Sequence, residues 1–378
     1  MSGIYIHIPF CRRKCSYCNF HFSTQLKFKS QMIQSLIKEL EIRNKEPENS
    51  NIKTLYLGGG TPSILNIQEL VLIFDKVKEN YNLSELEEIT LEANPDDLTP
   101  EFLQNLKIQT PVNRLSIGIQ SFFNEDLRLM NRAHNAEQAE NCIKNAQKFG
   151  FKNISIDLIY GSQATTDEHW KSNLEKTLEM DIPHVSAYAL TVEPKTAFEH
   201  QIRKGKIAPV DEEKQWKQFE ILRDTLTKNG FVQYEFSNFG KEGFFSQHNI
   251  SYWKNQAYLG VGPSAHSFDG KSQRSWNVAN NIKYINALEK YELPSEKEIL
   301  SEKEAYNEYI MLGLRTMWGI CIAEIEQRFS EKFVRYFHRE LENLEKENLV
   351  LINNEIITIH PECLFRTDGI ISRLFFVD

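Results

Sequence analysis

CRRKCSYC at Cys11–Cys18 places three cysteines at the spacing C-x3-C-x2-C, directly after a short apolar run. A disulfide framework favours an even number of cysteines, and a structural zinc site needs four ligands, the fourth of which could be His7 or His21. An electron-transfer ferredoxin needs a fourth thiolate for its cluster. Three thiolates on a cubane leave one iron without a protein ligand, and that iron can bind a small molecule. The spacing therefore indicates a 4Fe-4S cluster with an open iron, with zinc as the alternative.

Short β-rich apolar runs alternate with helix-like stretches through the first 230 residues. The predicted strands cover residues 4–8, 54–57, 88–91, 114–119, 154–159 and 185–190. The predicted helices cover residues 27–45, 66–80, 99–107, 135–149, 167–180 and 211–229. Capping residues such as Asn66 and Thr99 mark helix starts. Six β-α units in series imply a parallel sheet, either doubly wound or curled into a barrel.

Unusual polar or small residues lie near or just after the carboxyl end of each predicted strand. The first strand is followed by the cysteine loop. The corresponding residues of strands two to six are, in order, Gly58-Gly59-Gly60-Thr61-Pro62, Glu92 with Asn94, Gln120, Asp157 and Tyr188. Parallel β/α barrels build their sites at the carboxyl ends of several strands together. The placement favours the barrel and predicts a site at its mouth.

The second part of the chain follows a different pattern. Residues 231–270 are rich in Gly, Asn, Ser and aromatic residues with little periodicity, and we expect loops over the barrel. From Ser301, helical patterns and two short strands near residues 349–352 and 355–359 indicate a winged-helix-like module. Residues 296–378 contain 16 Asp and Glu against 10 Lys and Arg, which would repel a phosphate backbone. The predicted domains are residues 1–230 and 231–378, and the module is expected to have a structural or partner-docking role.

The composition limits the function further. The chain has 378 residues, 41% of them hydrophobic, and a formal charge of −8 without a basic tract of the kind that binds nucleic acid. No apolar run reaches the length of a membrane span, and the first ten residues lack a signal-peptide pattern. We expect a cytoplasmic protein, because a reducing compartment suits an oxygen-sensitive cluster.

Together with the glycine run, the cysteine motif resembles the signature of the radical S-adenosylmethionine (SAM) superfamily, over about residues 3–230. The resemblance implies an α/β fold: a partial (β/α)6 barrel followed by the mixed helical, winged-helix-like domain. It also implies a 4Fe-4S cluster on Cys11, Cys15 and Cys18, with SAM chelated by the open iron. One electron from the cluster then cleaves SAM to a 5′-deoxyadenosyl radical.

Glu92, Gln120, Arg132 and Asp157, three of them near predicted strand ends, suit a bound SAM, which needs acceptors for its ribose hydroxyls and a cation for its carboxylate. Carboxylates and a carboxamide serve the first task and arginine the second. For each residue alone, a surface or capping role is the alternative. The spacings resemble those of the oxygen-independent coproporphyrinogen-III-oxidase-like family. The SAM contacts that this resemblance implies are Tyr5, Tyr17, Gly59, Gly60, Thr61, Glu92, Gln120, Arg132 and Asp157.

That family contains an oxidase branch and a heme chaperone branch. The oxidase carries a fourth cysteine two places after the triad, where this chain has Phe20. The oxidase also has a long N-terminal extension, whereas four residues precede Tyr5 in this sequence. Both differences favour the chaperone branch.

The HNxxYW run at His248–Trp253 resembles a heme-associated signature of the chaperone branch. It implies heme contacts by His248, Asn249, Tyr252 and Trp253, with His248 as a candidate iron ligand and His266 as a further histidine nearby. The alternative is a core histidine beside packed aromatic residues.

The resulting hypothesis is a radical SAM protein that binds heme, receives an electron from a donor and delivers heme to acceptor hemoproteins. The first alternative is an oxidase that decarboxylates propionate side chains of coproporphyrinogen III. A structural zinc protein with a docking role is the minor alternative. Nucleic acid and a membrane span are not expected.

Overall fold

The six β-α units form a parallel sheet in the computed structural model, which describes residues 2–46 and 51–377. Each predicted strand of this sheet is confirmed to within two residues at either end. The strands are β1 (Ser2–Ile8), β2 (Ile52–Gly59), β3 (Glu88–Ala93), β4 (Arg114–Gln120), β5 (Asn153–Tyr160) and β6 (His184–Ala189).

The helices between these strands begin at the predicted caps. Asn66 accepts a hydrogen bond from the backbone of Glu69, and Thr99 accepts one from Phe102. The helices are α1 (Lys29–Ile42), α2 (Ile67–Asn80), α3 (Pro100–Gln109), α4 (Asn124–Leu129), α5 (Ala136–Lys148), α6 (Asp167–Glu179), α7 (Ala197–Arg203) and α8 (Glu212–Lys228). Short 3-10 helices lie at Leu26–Phe28, Pro62–Ile64 and Pro361–Arg366. The sequence pattern does not predict the short helices α4 and α7.

The sheet is open, because β1 and β6 are the outermost of the six predicted strands and do not pair with each other. Neighbouring strands from β1 to β6 pair in parallel in chain order. Every residue of β4 is buried, as expected for a parallel strand that is covered on both faces. The carboxyl ends of all six strands therefore meet at one edge, and the partial barrel is confirmed.

The prediction of loops over residues 231–270 is wrong, because this segment extends the sheet at both ends. β8 pairs with β6, and β9 pairs in parallel with β1. The added elements are β7 (Val232–Gln233), β8 (Asn238–Gly240), α9 (Gln247–Trp253), β9 (Tyr258–Val261), β10 (His266–Phe268), β11 (Gln273–Asn277), α10 (Asn281–Glu289) and β12 (Ser295–Ile299). Strands of two or three residues, such as β7, β8 and β10, are too short for an alternating pattern. The glycines that suggested loops instead permit close packing, since a Cβ on Gly260 would lie 1.9 Å from the carbonyl oxygen of His266.

The last part of the chain forms a small mixed unit with its own hydrophobic core. Its strands form a sheet in the order β13-β15-β14, as expected for a helical module with a small wing. The elements are α11 (Glu302–Leu314), β13 (Ile320–Cys321), α12 (Ile322–Arg328), α13 (Glu331–Lys346), β14 (Val350–Asn353), β15 (Ile356–Ile359) and α14 (Thr367–Leu374). The buried core of the large sheet extends as far as Leu288, and the second core begins at Tyr306. The sheet crosses residue 230, and the domain boundary at that residue stays a prediction.

Within residues 2–46 and 51–377, none of the helices combines the length and the apolar character that crossing a bilayer requires.

Candidate functional site

The cysteine loop follows β1 and is held in place by backbone hydrogen bonds. The N–H of Cys11 donates to the carbonyl oxygen of Ser23 at 3.1 Å. The N–H of Ser16 donates to the carbonyl oxygen of Met130, at the end of α4, at 3.0 Å. These bonds fix the loop against the carboxyl-terminal edge of the sheet, so the thiols lie where the sequence places the site.

All three thiols are half-buried, and two of them contact polar side chains. The Thr61 hydroxyl donates to Sγ of Cys11 at 3.4 Å, and Nη1 of Arg132 donates to Sγ of Cys15 at 3.3 Å. Burial raises the pKa of Cys11 to about 11; the Thr61 hydrogen bond opposes this rise, and Cys18 and Cys15 add to it. The three thiols therefore lie within electrostatic reach of one another, and a metal that binds here has to displace protons.

The donor set fits a 4Fe-4S cluster better than a single zinc ion. Among the described residues, no three His, Cys, Asp or Glu side chains converge closely enough to hold one metal ion. A cubane needs no such convergence, because each thiolate binds a separate iron. Nδ1 of His7 is hydrogen-bonded to the Tyr5 hydroxyl at 3.0 Å, and Nε2 to the carbonyl oxygen of His21 at 2.9 Å. Nε2 of His21 is bonded to Asn281 Oδ1 at 2.7 Å, so both predicted zinc-site histidines are already engaged.

Glu92, at the end of β3, lies beside the glycine run. Its carboxylate accepts hydrogen bonds from the Tyr56 hydroxyl at 2.7 Å and from the N–H of Gly59 at 3.1 Å. Burial raises the pKa of Glu92 to about 7; the Tyr56 hydrogen bond opposes this rise, and Asp157 adds to it. A half-buried carboxylate with spare lone pairs can accept hydrogen bonds from the hydroxyl groups of a ligand.

The glycine run packs tightly against β1 and the cysteine loop. A Cβ on Gly60 would lie 2.6 Å from the carbonyl oxygen of Phe10, so no other residue fits without a shift of the backbone. Gly59 has a φ of +106°, which also favours glycine. This close packing brings Thr61 to the first cysteine.

Arg132 connects the cysteine loop to β3 and β4. Nη1 also donates to the Tyr17 hydroxyl at 3.3 Å, and Nη2 donates to Asn94 Oδ1 and to the carbonyl oxygen of Gly118, both at 2.7 Å. Burial acts to lower the pKa of Arg132, but Tyr17 and Cys15 outweigh it and the pKa is raised. Nε is buried and has no partner in the described part of the chain. An unpartnered cationic N–H of this kind fits the carboxylate of a ligand.

Gln120 and Asp157 lie on the neighbouring strands β4 and β5. Gln120 is buried and has a φ of +66° at a register shift between these strands, which is a strained position for a residue with a side chain. Asp157 accepts a hydrogen bond from the Ser116 hydroxyl at 3.5 Å. Burial raises the pKa of Asp157 to about 6, and Arg114 and Arg132 oppose the rise.

The structure brings the residues predicted for SAM to one edge of the sheet. Thr61 receives a hydrogen bond from Asn94, which in turn accepts one from Arg132. Arg132 contacts the cysteine loop, and the charge of Asp157 acts on Glu92. The arrangement can hold a ligand that carries both a carboxylate and hydroxyl groups.

The HNxxYW run forms α9, and His248 lies in the core against β1 and β2. The side chain is 1% exposed, and its ring stacks on Tyr56 with the centroids 5.0 Å apart. Nδ1 is hydrogen-bonded to the Thr54 hydroxyl at 2.7 Å and Nε2 to the Tyr252 hydroxyl at 2.8 Å. Neither ring nitrogen is free to bind iron, so the geometry corrects the interpretation of His248 as a candidate iron ligand and agrees with the core-histidine alternative.

The other three predicted heme contacts, Asn249, Tyr252 and Trp253, are less buried than His248 and differ in whether they reach the cavity. Glu88 accepts the backbone N–H groups of residues 247 and 248, which fixes the start of α9. Tyr252 lines a cavity that also contains Glu92, whereas Asn249 and Trp253 are half-buried and lie off the cavity wall. The structure therefore brings one residue of the run to the site.

This cavity has a volume of about 440 Å³ and extends from the mouth of the barrel to the added strands. Its wall includes Tyr5, Gly59 and Glu92 at one end and Tyr258, His266 and Arg274 at the other.

Sequence reasoning placed Asn94 near the site without giving it a role, and it missed Tyr56. Asn94 links Thr61 to Arg132, and its position after a predicted strand was the available signal. Tyr56 lies inside β2, and no local pattern indicates that its hydroxyl reaches Glu92.

Comparison with known proteins agrees with this architecture. The family model for the radical SAM superfamily matches residues 5–176, and the model for the HemN C-terminal domain matches residues 300–365. The solved structure of coproporphyrinogen III oxidase (HemN) from Escherichia coli superimposes with a TM-score of 0.81 at 24% identity, covering 99% of this chain and 90% of that one. This likeness shows the shared fold.

Curated relatives are similar along nearly the whole chain. The heme chaperone HemW of Lactococcus lactis subsp. lactis is 37% identical over 353 residues, which are 92% of this chain and 90% of the relative. The heme chaperone HemW of Bacillus subtilis is 34% identical over 357 residues, which are 93% of each chain. With identity at this level over this length, the chain belongs to the HemW family of radical SAM proteins.

Proposed function

We propose that the chain is a radical SAM heme chaperone, which binds heme and delivers it to acceptor hemoproteins. The observation that carries the proposal is the cavity of about 440 Å³ between Glu92 and the strands β9 to β11. A volume of this size lies in the range of small-molecule sites, and aromatic side chains line the wall. The relatives with the name heme chaperone cover the same length of chain.

The cysteine loop and the barrel mouth have the groups that the cluster and SAM require. Cys11, Cys15 and Cys18 would hold a 4Fe-4S cluster, which supplies the electron for cleavage of SAM when both are bound. Arg132 offers its unpartnered Nε–H to the SAM carboxylate, and Glu92 offers carboxylate oxygens to the ribose hydroxyls. The proposed SAM contacts are Tyr5, Tyr17, Gly59, Gly60, Thr61, Glu92, Gln120, Arg132 and Asp157.

The HNxxYW run supports the heme site from one side. Tyr252 lines the cavity and is kept as a heme contact. His248 acts as a positioning residue, because it bonds the Tyr252 hydroxyl and stacks on Tyr56. Asn249 and Trp253 complete the helix but lie off the cavity wall, so of the four predicted heme contacts in this run only Tyr252 is retained as a direct contact.

The proposal requires two kinds of partner: an electron donor for the cluster and acceptor hemoproteins. It also locates the protein in the cytoplasm, where the cluster is protected from oxygen.

The alternative function is oxidative decarboxylation of coproporphyrinogen III. Likeness to the oxidase at 24% identity concerns the fold alone. Phe20 stands where the oxidase has its fourth cysteine, is 70% exposed and lines the cavity, so this position offers no thiol. The chaperone is therefore the better-supported function.

The test uses protein that is purified and reconstituted without oxygen. Titration with hemin should give a saturable Soret band, and an apo-hemoprotein should then remove the heme. In a parallel reaction with coproporphyrinogen III, SAM and a reductant, we expect no protoporphyrinogen IX. SAM-dependent formation of that product without hemin binding would establish the oxidase instead. Stoichiometric zinc without iron would support the zinc alternative.

A further inference from the structure

One face of the antiparallel strands β9, β10 and β11 collects aromatic side chains, a histidine and an arginine. The register places His266 opposite Trp276 and Phe268 opposite Arg274. Phe268 is also paired with Tyr258. Because residues that are directly opposite or two apart point to the same side of a sheet, all five side chains share one face.

Two cavities meet on this face. The cavity of about 440 Å³ reaches Glu92 at the barrel mouth, and a second cavity of about 490 Å³ reaches Trp276. Tyr258, His266 and Arg274 line both of them. The five-residue face therefore forms the floor of a pocket that runs outward from the proposed SAM site.

His266 differs from the other histidines near the site. It is exposed, and in the described ranges neither of its ring nitrogens has a hydrogen-bond partner, whereas His7 and His248 use both of theirs. Its ring lies at 30° to that of Trp276 with the centroids 6.0 Å apart. Partial desolvation of the ring, followed by the charge of Arg274, lowers the pKa of His266 against the opposing charge of Glu298, which favours the neutral imidazole that an iron ligand requires.

Arg274 is the single Lys or Arg among the described residues that line the two cavities. It forms ion pairs with Glu308 and, at 3.9 Å, with Glu298. A carboxylate ligand would compete with these two side chains for the guanidinium group.

We propose that His266 is the iron ligand of the bound heme, that Tyr258 and Trp276 contact the porphyrin plane, and that Arg274 pairs with a propionate. This inference rests on the proposed heme chaperone function and assigns the position of the cargo. A histidine ligand, aromatic surface and a cation are the three groups that a heme with two propionates needs.

The experiment compares His266→Ala with His200→Ala, which removes an exposed histidine on α7, in the full-length reconstituted protein. Hemin titrations are followed by absorbance and electron paramagnetic resonance. In His266→Ala we expect the imidazole-ligated spectrum to disappear and hemin affinity to fall by about tenfold or more, because loss of even an outer-shell partner of a metal ligand costs about tenfold. Added free imidazole should restore the spectrum, and His200→Ala should behave as the wild type.

A second arm tests the propionate contact. Arg274→Gln should weaken the binding of hemin but leave the binding of hemin dimethyl ester unchanged, because the ester carries no carboxylate. If His266→Ala keeps the wild-type spectrum and affinity, the heme position is wrong while the chaperone function stands. If the wild type itself does not bind hemin, the proposed function fails and the inference fails with it.

Discussion

Replacing His248 with alanine should destabilise the fold instead of removing an iron ligand from the heme. The substitution deletes a ring that is 1% exposed and leaves the hydroxyl groups of Thr54 and Tyr252 without their partner. An unpaired buried polar group costs about 1–3 kcal/mol, and loss of the aromatic contact with Tyr56 costs about 0.5–1.5 kcal/mol more. Tyr252 is half-buried and can bond to water, so we expect a total loss of about 3 kcal/mol.

The loss is measurable, because the whole stability of a domain is only about 5–15 kcal/mol. Anaerobic urea unfolding, followed by tryptophan fluorescence, should show a lower midpoint with an unchanged slope. His248→Gln is the matched control, since its amide retains one donor and one acceptor. It should recover part of the lost stability. Hemin bound to folded His248→Ala should keep an imidazole-ligated spectrum.

The opposite pattern would refute this reasoning. An unchanged unfolding midpoint, together with loss of the imidazole-ligated spectrum, would mean that His248 leaves its bonds to Thr54 and Tyr252 and binds iron itself.

Three further changes test other parts of the structure. Arg132→Ala should weaken SAM binding by about 1.5–3 kcal/mol in titration calorimetry, because a charge-assisted hydrogen bond is lost. The control Arg128→Ala removes an exposed arginine and should have no effect. If Arg132→Ala binds SAM as tightly as the wild type, SAM binds elsewhere. Glu39→Ala should lower the free energy of unfolding by about 3–5 kcal/mol, since this buried carboxylate of α1 accepts hydrogen bonds from residues at the ends of β9 and β11 and from α10. A change below about 1 kcal/mol would contradict this structural role. His134 has a pKa lowered to about 3, first by burial and then by Arg132, so the unfolded chain takes up more protons below pH 6.5. Between pH 6.5 and 4.5 the wild type should lose about 2–3 kcal/mol relative to His134→Gln in urea unfolding, and a constant difference would show that the histidine is not neutral in the fold.

The parallel part of the fold could be predicted because its signals are local. Apolar runs such as residues 114–119 give the strands, and caps such as Asn66 give the helix starts. Residues at strand ends then meet at one edge of the sheet, so Glu92 could be assigned to the site from the order of strands. Arg132 lies beyond α4 and could be assigned from the family resemblance. Their identity as SAM contacts stays a prediction that the calorimetric experiment tests.

The added strands could not be predicted, because long-range pairing forms them. β9 has four residues and owes its place to parallel pairing with β1, more than 250 residues earlier in the chain. β10 has three residues and is fixed by pairing with β11 and by the close approach of Gly260 to His266. β10 is too short to show an alternating pattern and β9 has only the minimum length for one, so composition alone suggested loops.

The two histidines show why a motif and a site can diverge. One contact of the HNxxYW run is local, since residues four apart meet on the helix that the run forms and His248 bonds Tyr252. Its other partner, Thr54, is 194 residues away in sequence, and that bond uses the second ring nitrogen. His266 belongs to no motif, yet the sheet register places it beside Trp276 with both nitrogens available. Whether a histidine can bind iron is decided by these long-range contacts. Substitution of His248 and of His266, each with its own control, therefore separates an assignment by motif from an assignment by geometry.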